Sequence, residues 1–188
     1  MTELTMVPRD RTILSVAKAV AWVGLAFAGI YAFSGAVYPF LTGNGVPAQA
    51  FTQIPGQEAK FEGAVEIADP SLLLLASYLF SVLVAAGGQI IIMVALLRLV
   101  ATARAGEAFL PGMLEALKLV GLGIVVWTVG ADVLPGVTSA IAYRDMPEGF
   151  EFFATFNFAP ILIVVVLGVI AALFDVGARL RRDSDGLV

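Results

Sequence analysis

The sequence predicts an all-α integral membrane protein, a four-transmembrane-helix bundle with a small extracytoplasmic β cap made from its two outer loops. Three observations carry that expectation. Of the 188 residues, 60% are hydrophobic and only 14% charged, whereas an average soluble protein has about 25% charged residues. The charges are segregated, which leaves four apolar runs of the length a bilayer requires. The eleven lysines and arginines are also spread so unevenly that they give every loop a side.

A hydrocarbon core about 30 Å thick takes about 20 apolar residues in a helix. The first run, "ILSVAKAVAWVGLAFAGIYAFSGAV" (residues 13–37), has Lys18 as its only charge, close enough to one end to snorkel to the interface. Arg9 and Arg11 precede it, and Ser34 to Ala36 resembles a signal-peptide cleavage site. The run is longer than the roughly 7–15 residues of a signal h-region, so a retained helix is expected. Ala17, Ala21, Gly24, Ala28, Ala32 and Gly35 form a ridge of small residues at helical spacing. Such a ridge permits close backbone approach, within one bundle or to a second copy. Trp22, and Trp127 in the third span, lie deep and read as core.

The second run spans residues 72–97, with Gln89 at its middle after Gly87 and Gly88. Lipid offers a glutamine no partner, so a hydrogen bond to another helix is expected, a cavity-lining place being the alternative. The third span covers 111–137 and carries Asp132, with Pro135 and Gly136 ending or bending the helix just beyond it. An intramembrane acid is a functional candidate by default, here as a proton or ion relay. Fifteen residues from Leu117 at about 1.5 Å each put Asp132 near the outer interface. That favours a structural acid, either interfacial or paired, with Arg144 as a candidate partner. The fourth span covers 158–178, where Asp175 sits beside the inner arginines and is expected to pair locally.

Orientation follows from the flanks. Arg9, Arg11, Lys18, Arg98, Arg104, Lys118, Arg179, Arg181 and Arg182 all fall on one side, and only Lys60 and Arg144 on the other. Basic residues accumulate inside, so both termini and the inner hairpin (98–110) are expected in the cytoplasm. The outer loops are then 38–71 and 138–157, and they carry Glu58, Glu62, Glu66, Asp69, Asp145, Glu148 and Glu151. In the first, "KFEGAVEI" alternates with the period of a strand. In the second, "GFEFFATFNF" is aromatic and strand-like. The two are expected to pair as the cap; the alternative is irregular loops whose phenylalanines sit in the headgroup zone.

There is no cysteine and no histidine. Disulfides, thiol nucleophiles, zinc fingers, Ser-His-Asp triads and HExxH metalloprotease helices are thereby excluded. No span carries a pair of carboxylates close enough to work together, so an enzyme is not expected, nor any catalytic residue, metal or cofactor. A net charge of −4 without a long basic run argues against direct contact with nucleic acid.

The stretch "ATARAGEAFLPGMLEALK" (residues 101–118) interrupts two long apolar runs. Pro111 suits the first turn of a helix, and Met113, Leu114 and Leu117 then share a side, so the third span is expected to begin in the headgroup region. A basic end to the second span, Gly106 and Phe109 as G-x-x-F, then "LKLVG", resembles the inner hairpin of a bacterial four-span family known only as domain of unknown function 2975. The tail "FDVGARLRRDSDGLV" resembles that family's ending. One departure is that "LPGMLEA" lacks the polar segment the family carries after the phenylalanine. The family has no established activity. The resemblance implies a multi-pass protein of the bacterial cytoplasmic membrane, with a small helix-turn-helix regulator as a partner, in signalling or immunity. The expected function is therefore contact with proteins or lipids, membrane lipids and a second copy of the chain included. The alternative is a small transporter or channel using Asp132 and Gln89, against which stand the scarcity of deep polar residues and the lack of an inverted repeat.

Overall fold

The computed structural model describes residues 8–41, 45–53, 60–104, 111–146, 150–152, 157 and 159–185. Four spans in it are helices long and apolar enough to cross a membrane, so the chain is a multi-pass membrane protein. The first is α1 (Pro8–Leu41) and the second α2 (Leu72–Arg104). The third is composite: α3 (Pro111–Thr128), one π-helical turn (Val129–Val133) and α4 (Leu134–Ala142). The fourth is α5 (Ala159–Asp185).

The helices outrun their apolar runs, because backbone hydrogen bonding continues where hydrophobicity stops. Thus α2 extends to Arg104 rather than 97, and the third span to Ala142 rather than 137. The start of α2 is set by Ser71, whose hydroxyl accepts the Leu74 N–H at 3.3 Å, the usual N-cap arrangement. The start of α3 at Pro111 agrees with the sequence reading. Of the two expectations for Pro135, that it ends or bends the helix, the first does not hold. The Leu134 N–H donates to the Val129 carbonyl five residues back, so the register loosens by one residue just before the proline. That slack accommodates a ring that would crowd the preceding turn and a nitrogen that cannot donate. The helix then resumes as α4.

The chain falls into two compact units. One comprises Met1–Ala28, Gly88–Val125 and Ala159–Val188. Within it the ridge on α1 is packed: Ala21 and Ala28 are buried, and a Cβ added to Gly24 would collide with the Met93 side chain of α2. A Cβ on Gly123 would lie 2.9 Å from the Ile92 nitrogen and 3.1 Å from the Gly88 carbonyl, so α3 and α2 nearly touch through their backbones. The ridge is thus used inside the chain. Trp22 is a correction: it is 58% exposed, on the face of α1 away from the ridge. Depth in a bilayer does not require burial in protein, since lipid tails are as apolar as a core. Trp127 is half-buried. Of the four spans α5 is the least buried, and Leu162 and Leu173 face outward from it.

The other unit comprises Gly29–Gly87 and Val126–Phe158 and carries the sheet. Its strands are β1 (Val46–Gln53), β2 (Lys60–Ile67) and β3 (Phe150–Phe152), in the order β2-β1-β3. Both pairings are antiparallel, β1 to β2 from Val46↔Ile67 to Gln53↔Lys60, and β1 to β3 from Ala50↔Phe152 to Thr52↔Phe150. The two expected strands exist, but they do not pair with each other. They flank β1, "VPAQAFTQ", in a region the sequence reading took for loop. Its inward positions are Val46, Ala48 and Ala50, all buried. Alanines and a proline give little strand signal, so tertiary burial decides the conformation. Val46, Ala48 and Ile67 form the core of this unit with Leu74 of α2 and Ala142 of α4.

Two local features fix β1. Gly45, just before it, has φ +80°, and a Cβ there would collide with the Ile67 carbonyl; only glycine fits. The Gln49 N–H donates to the Ser139 hydroxyl of α4 at 2.9 Å. Alternate residues of a strand turn their N–H to the same edge, so the nitrogen of Pro47 faces α4 and its missing proton leaves the β2 ladder intact.

Candidate functional site

Within the sheet-bearing unit lies a cavity of about 300 Å³. Its walls come from α1, α2 and the third span, with Pro47 to Gln49 of β1 and Ala64 of β2 along the strand side. Close contacts draw the walls together. A Cβ on Gly35 of α1 would lie 2.8 Å from a Val82 methyl of α2, and one on Gly130 would collide with the Ala85 backbone of α2. The strand side is tied to α1 by the Tyr38 hydroxyl, which donates to the Glu66 carboxylate at 2.9 Å.

The lining is polar without being charged. Tyr31 and Ser34 on α1, and Tyr78 and Ser81 on α2, all face the cavity. They belong to two copies of one local pattern, "YAFS" (31–34) and "YLFS" (78–81). In both, the serine hydroxyl donates back to the tyrosine carbonyl, at 3.2 Å in α1 and 2.7 Å in α2. In both, the phenylalanine points outward: Phe33 and Phe80 are exposed. On α4, Thr138 donates to the Leu134 carbonyl at 3.0 Å, and Ser139 accepts from Gln49. A hydroxyl whose proton goes to its own helix can be buried without an orphan donor while its lone pairs stay available. Ser81 and Thr138 are accordingly buried, as is Ser139, whose oxygen takes the Gln49 N–H, and among the described residues no buried side-chain polar atom lacks a partner.

The residues singled out from sequence lie elsewhere. Asp132 sits in the π-helical turn and is half-buried; Gly130 and Pro135 line the cavity, but Asp132 does not. Among the described residues it makes neither a hydrogen bond nor an ion pair, so the expected pairing with Arg144, which is exposed in the 3₁₀ turn Tyr143–Asp145, is not formed. Gln89 is half-buried in α2, and the interhelical bond expected of it is likewise not made to any described residue. Asp132 stands near the outer end of its span, where a half-buried side chain can reach headgroups or water, so nothing obliges it to bond across helices. Nothing in the structure explains the missing bond of Gln89. Lys18, Arg98 and Lys118 are exposed on their helices. Arg9 and Arg11 fall in α1, Arg104 ends α2, and Arg179, Arg181 and Arg182 fall in the last turns of α5. Gly106 and Phe109 lie outside the described residues.

Taken singly the cavity hydroxyls give no signal in the sequence, because single serines and threonines in apolar helices are common. The recurrence of Y-x-F-S in two spans was the signal that could have found them. Compared with models of protein families, with curated proteins and with solved structures, the chain finds no match in any of the three.

Proposed function

We propose that this chain is a non-enzymatic protein of the bacterial cytoplasmic membrane that acts by binding. A small molecule occupies the cavity, and the chain passes its presence on through contacts with other proteins, in signalling or immunity. The observation that carries this reading is the cavity itself: about 300 Å³, lined by hydroxyls from three spans, the size and mixed character of a small-molecule site. The placing of nine basic residues on one side supports termini in the cytoplasm and the sheet outside. The likeness of the inner hairpin to the family described above supports a small helix-turn-helix regulator as the inner partner. The transporter reading has less support, because neither Asp132 nor Gln89 lines the cavity.

Thiol accessibility tests the reading cleanly, since the chain has no cysteine. Ser81→Cys places a thiol on the cavity wall, and Ala85→Cys places one on the same helix at a fully buried position that does not line it. A small neutral methanethiosulfonate should modify the first much faster than the second in folded protein. Equal, slow modification of both would mean that no accessible cavity exists.

A further inference from the structure

From the lining we infer that the ligand is a neutral, mainly apolar molecule bearing one hydroxyl group, which the two Y-x-F-S stretches hold. This inference rests on the cavity's being a binding site. Three features carry it. First, among the described residues no acidic or basic side chain lines the cavity. A charged ligand would be desolvated there with no opposite charge to offset the loss. Second, beside Gln49, Thr138 and Ser139, the lining carries the hydroxyls of the two Y-x-F-S stretches, and these are of two kinds. Ser34 and Ser81 spend their protons on their own helices and keep acceptor lone pairs, while the hydroxyls of Tyr31 and Tyr78 make no hydrogen bond to any described residue. A phenol donor and a serine acceptor one helical turn apart, on each of two helices, suit a single group that both donates and accepts. Third, volume bounds size: an apolar cavity of about 150 Å³ takes benzene, so one of twice that volume takes a molecule of roughly ten to fourteen non-hydrogen atoms. The remaining surface is apolar, from Val82, Ala48, Ala64 and Pro135, and suits a ring or a short chain.

The test is equilibrium dialysis of the purified full chain in nanodiscs against three probes of one shape: 2-naphthol, naphthalene and 2-naphthoate. Empty nanodiscs give the partition blank. 2-Naphthol should bind above the blank, with 2-naphthoate at least about tenfold weaker because its charge has no partner. Tyr78→Phe should weaken 2-naphthol about three- to tenfold, the usual value of one hydrogen bond, and leave naphthalene unchanged. Ala64→Trp, at an exposed position on β2 that lines the cavity, should fill it and abolish 2-naphthol binding. Binding of 2-naphthoate as tight as that of 2-naphthol, or a Tyr78→Phe variant that binds both neutral probes like the parent, would overturn the ligand class. If Ser81→Cys is freely modified and no neutral probe exceeds the blank, the class fails while the cavity reading stands. If Ser81→Cys is inert, both fail together.

Discussion

Gly130→Ala should destabilise the protein where Gly168→Ala does not, though the two substitutions are chemically identical. Both glycines are helical, and adding a methyl to a helical glycine favours the helix by about 0.5–1 kcal/mol. That contribution cancels between the variants. What differs is space. A Cβ on Gly168 meets nothing within 4 Å. A Cβ on Gly130 runs into the Ala85 nitrogen and Cα, and stands 2.8 Å from the Val84 carbonyl carbon. These are backbone atoms, so no rotamer change relieves the overlap. The π-helical turn must move away from α2, and overpacking of this kind costs about 1–3 kcal/mol. The same figure is the expected gap between the variants, with Gly168→Ala neutral or slightly stabilised. Unfolding in detergent with rising SDS, followed by helical circular dichroism, measures it. Two variants of equal stability would show that the π-helical turn and α2 are not in backbone contact, and that the cavity wall is drawn wrongly.

Ser139→Ala removes the acceptor of the Gln49 N–H. A buried donor left alone costs about 1–3 kcal/mol, so β1 should loosen first, seen as faster amide exchange at Gln49 with the spans unaffected. Protection unchanged at Gln49 would contradict the 2.9 Å contact. Gln89→Leu should change stability in detergent by less than about 0.5 kcal/mol or raise it, since no bond to a described residue is lost; a loss above about 1 kcal/mol would restore the interhelical bond. A cysteine replacing Gly106 should resist an impermeant maleimide in intact cells and react once they are opened. Labelling in intact cells would reverse the topology. Asp132→Asn should leave liposomes as tight to protons and cations as the parent chain does; a current that depends on Asp132 would establish transport.

The four spans were legible because a membrane helix announces itself in composition, and Pro111 was legible because a first-turn proline has a local cause. The small-residue ridge of α1 was also visible, and the contacts of Gly24 and Gly35 with α2 settle how it is used. What escaped depended on neighbours. Strand β1 has an inward face of one valine and two alanines, and it is a strand because Leu74 and Ala142 lie beneath it. The side of Trp22 could not be read from depth, because protein and lipid are equally apolar there. Asp132 and Gln89 drew notice as the most polar groups in their spans, yet polarity alone does not say which face a residue occupies.

The cavity hydroxyls show why the less polar groups are the better candidates. A carboxylate inside a bilayer needs a partner in both protonation states, whereas a serine on a helix has one built in, the carbonyl three or four residues back. Ser34, Ser81 and Thr138 all use it. Their satisfaction does not depend on a ligand, so these three hydroxyls leave no orphaned donor in the wall. The tyrosines differ, because their hydroxyls reach beyond their own backbone and gain most from something in the cavity. On the proposed reading each Y-x-F-S stretch divides its labour: serine satisfies its own hydroxyl, phenylalanine faces outward, and tyrosine supplies the donor for a ligand. Binding would then be read mainly at Tyr31 and Tyr78. Each stands one helical turn before a partner in the contact that draws α1 to α2, Tyr31 before Gly35 and Tyr78 before Val82. A ligand that bridges the two tyrosines would tighten α1 against α2 at that point. This is how occupancy of an uncharged cavity could reach the helices that frame it without any deep charge moving.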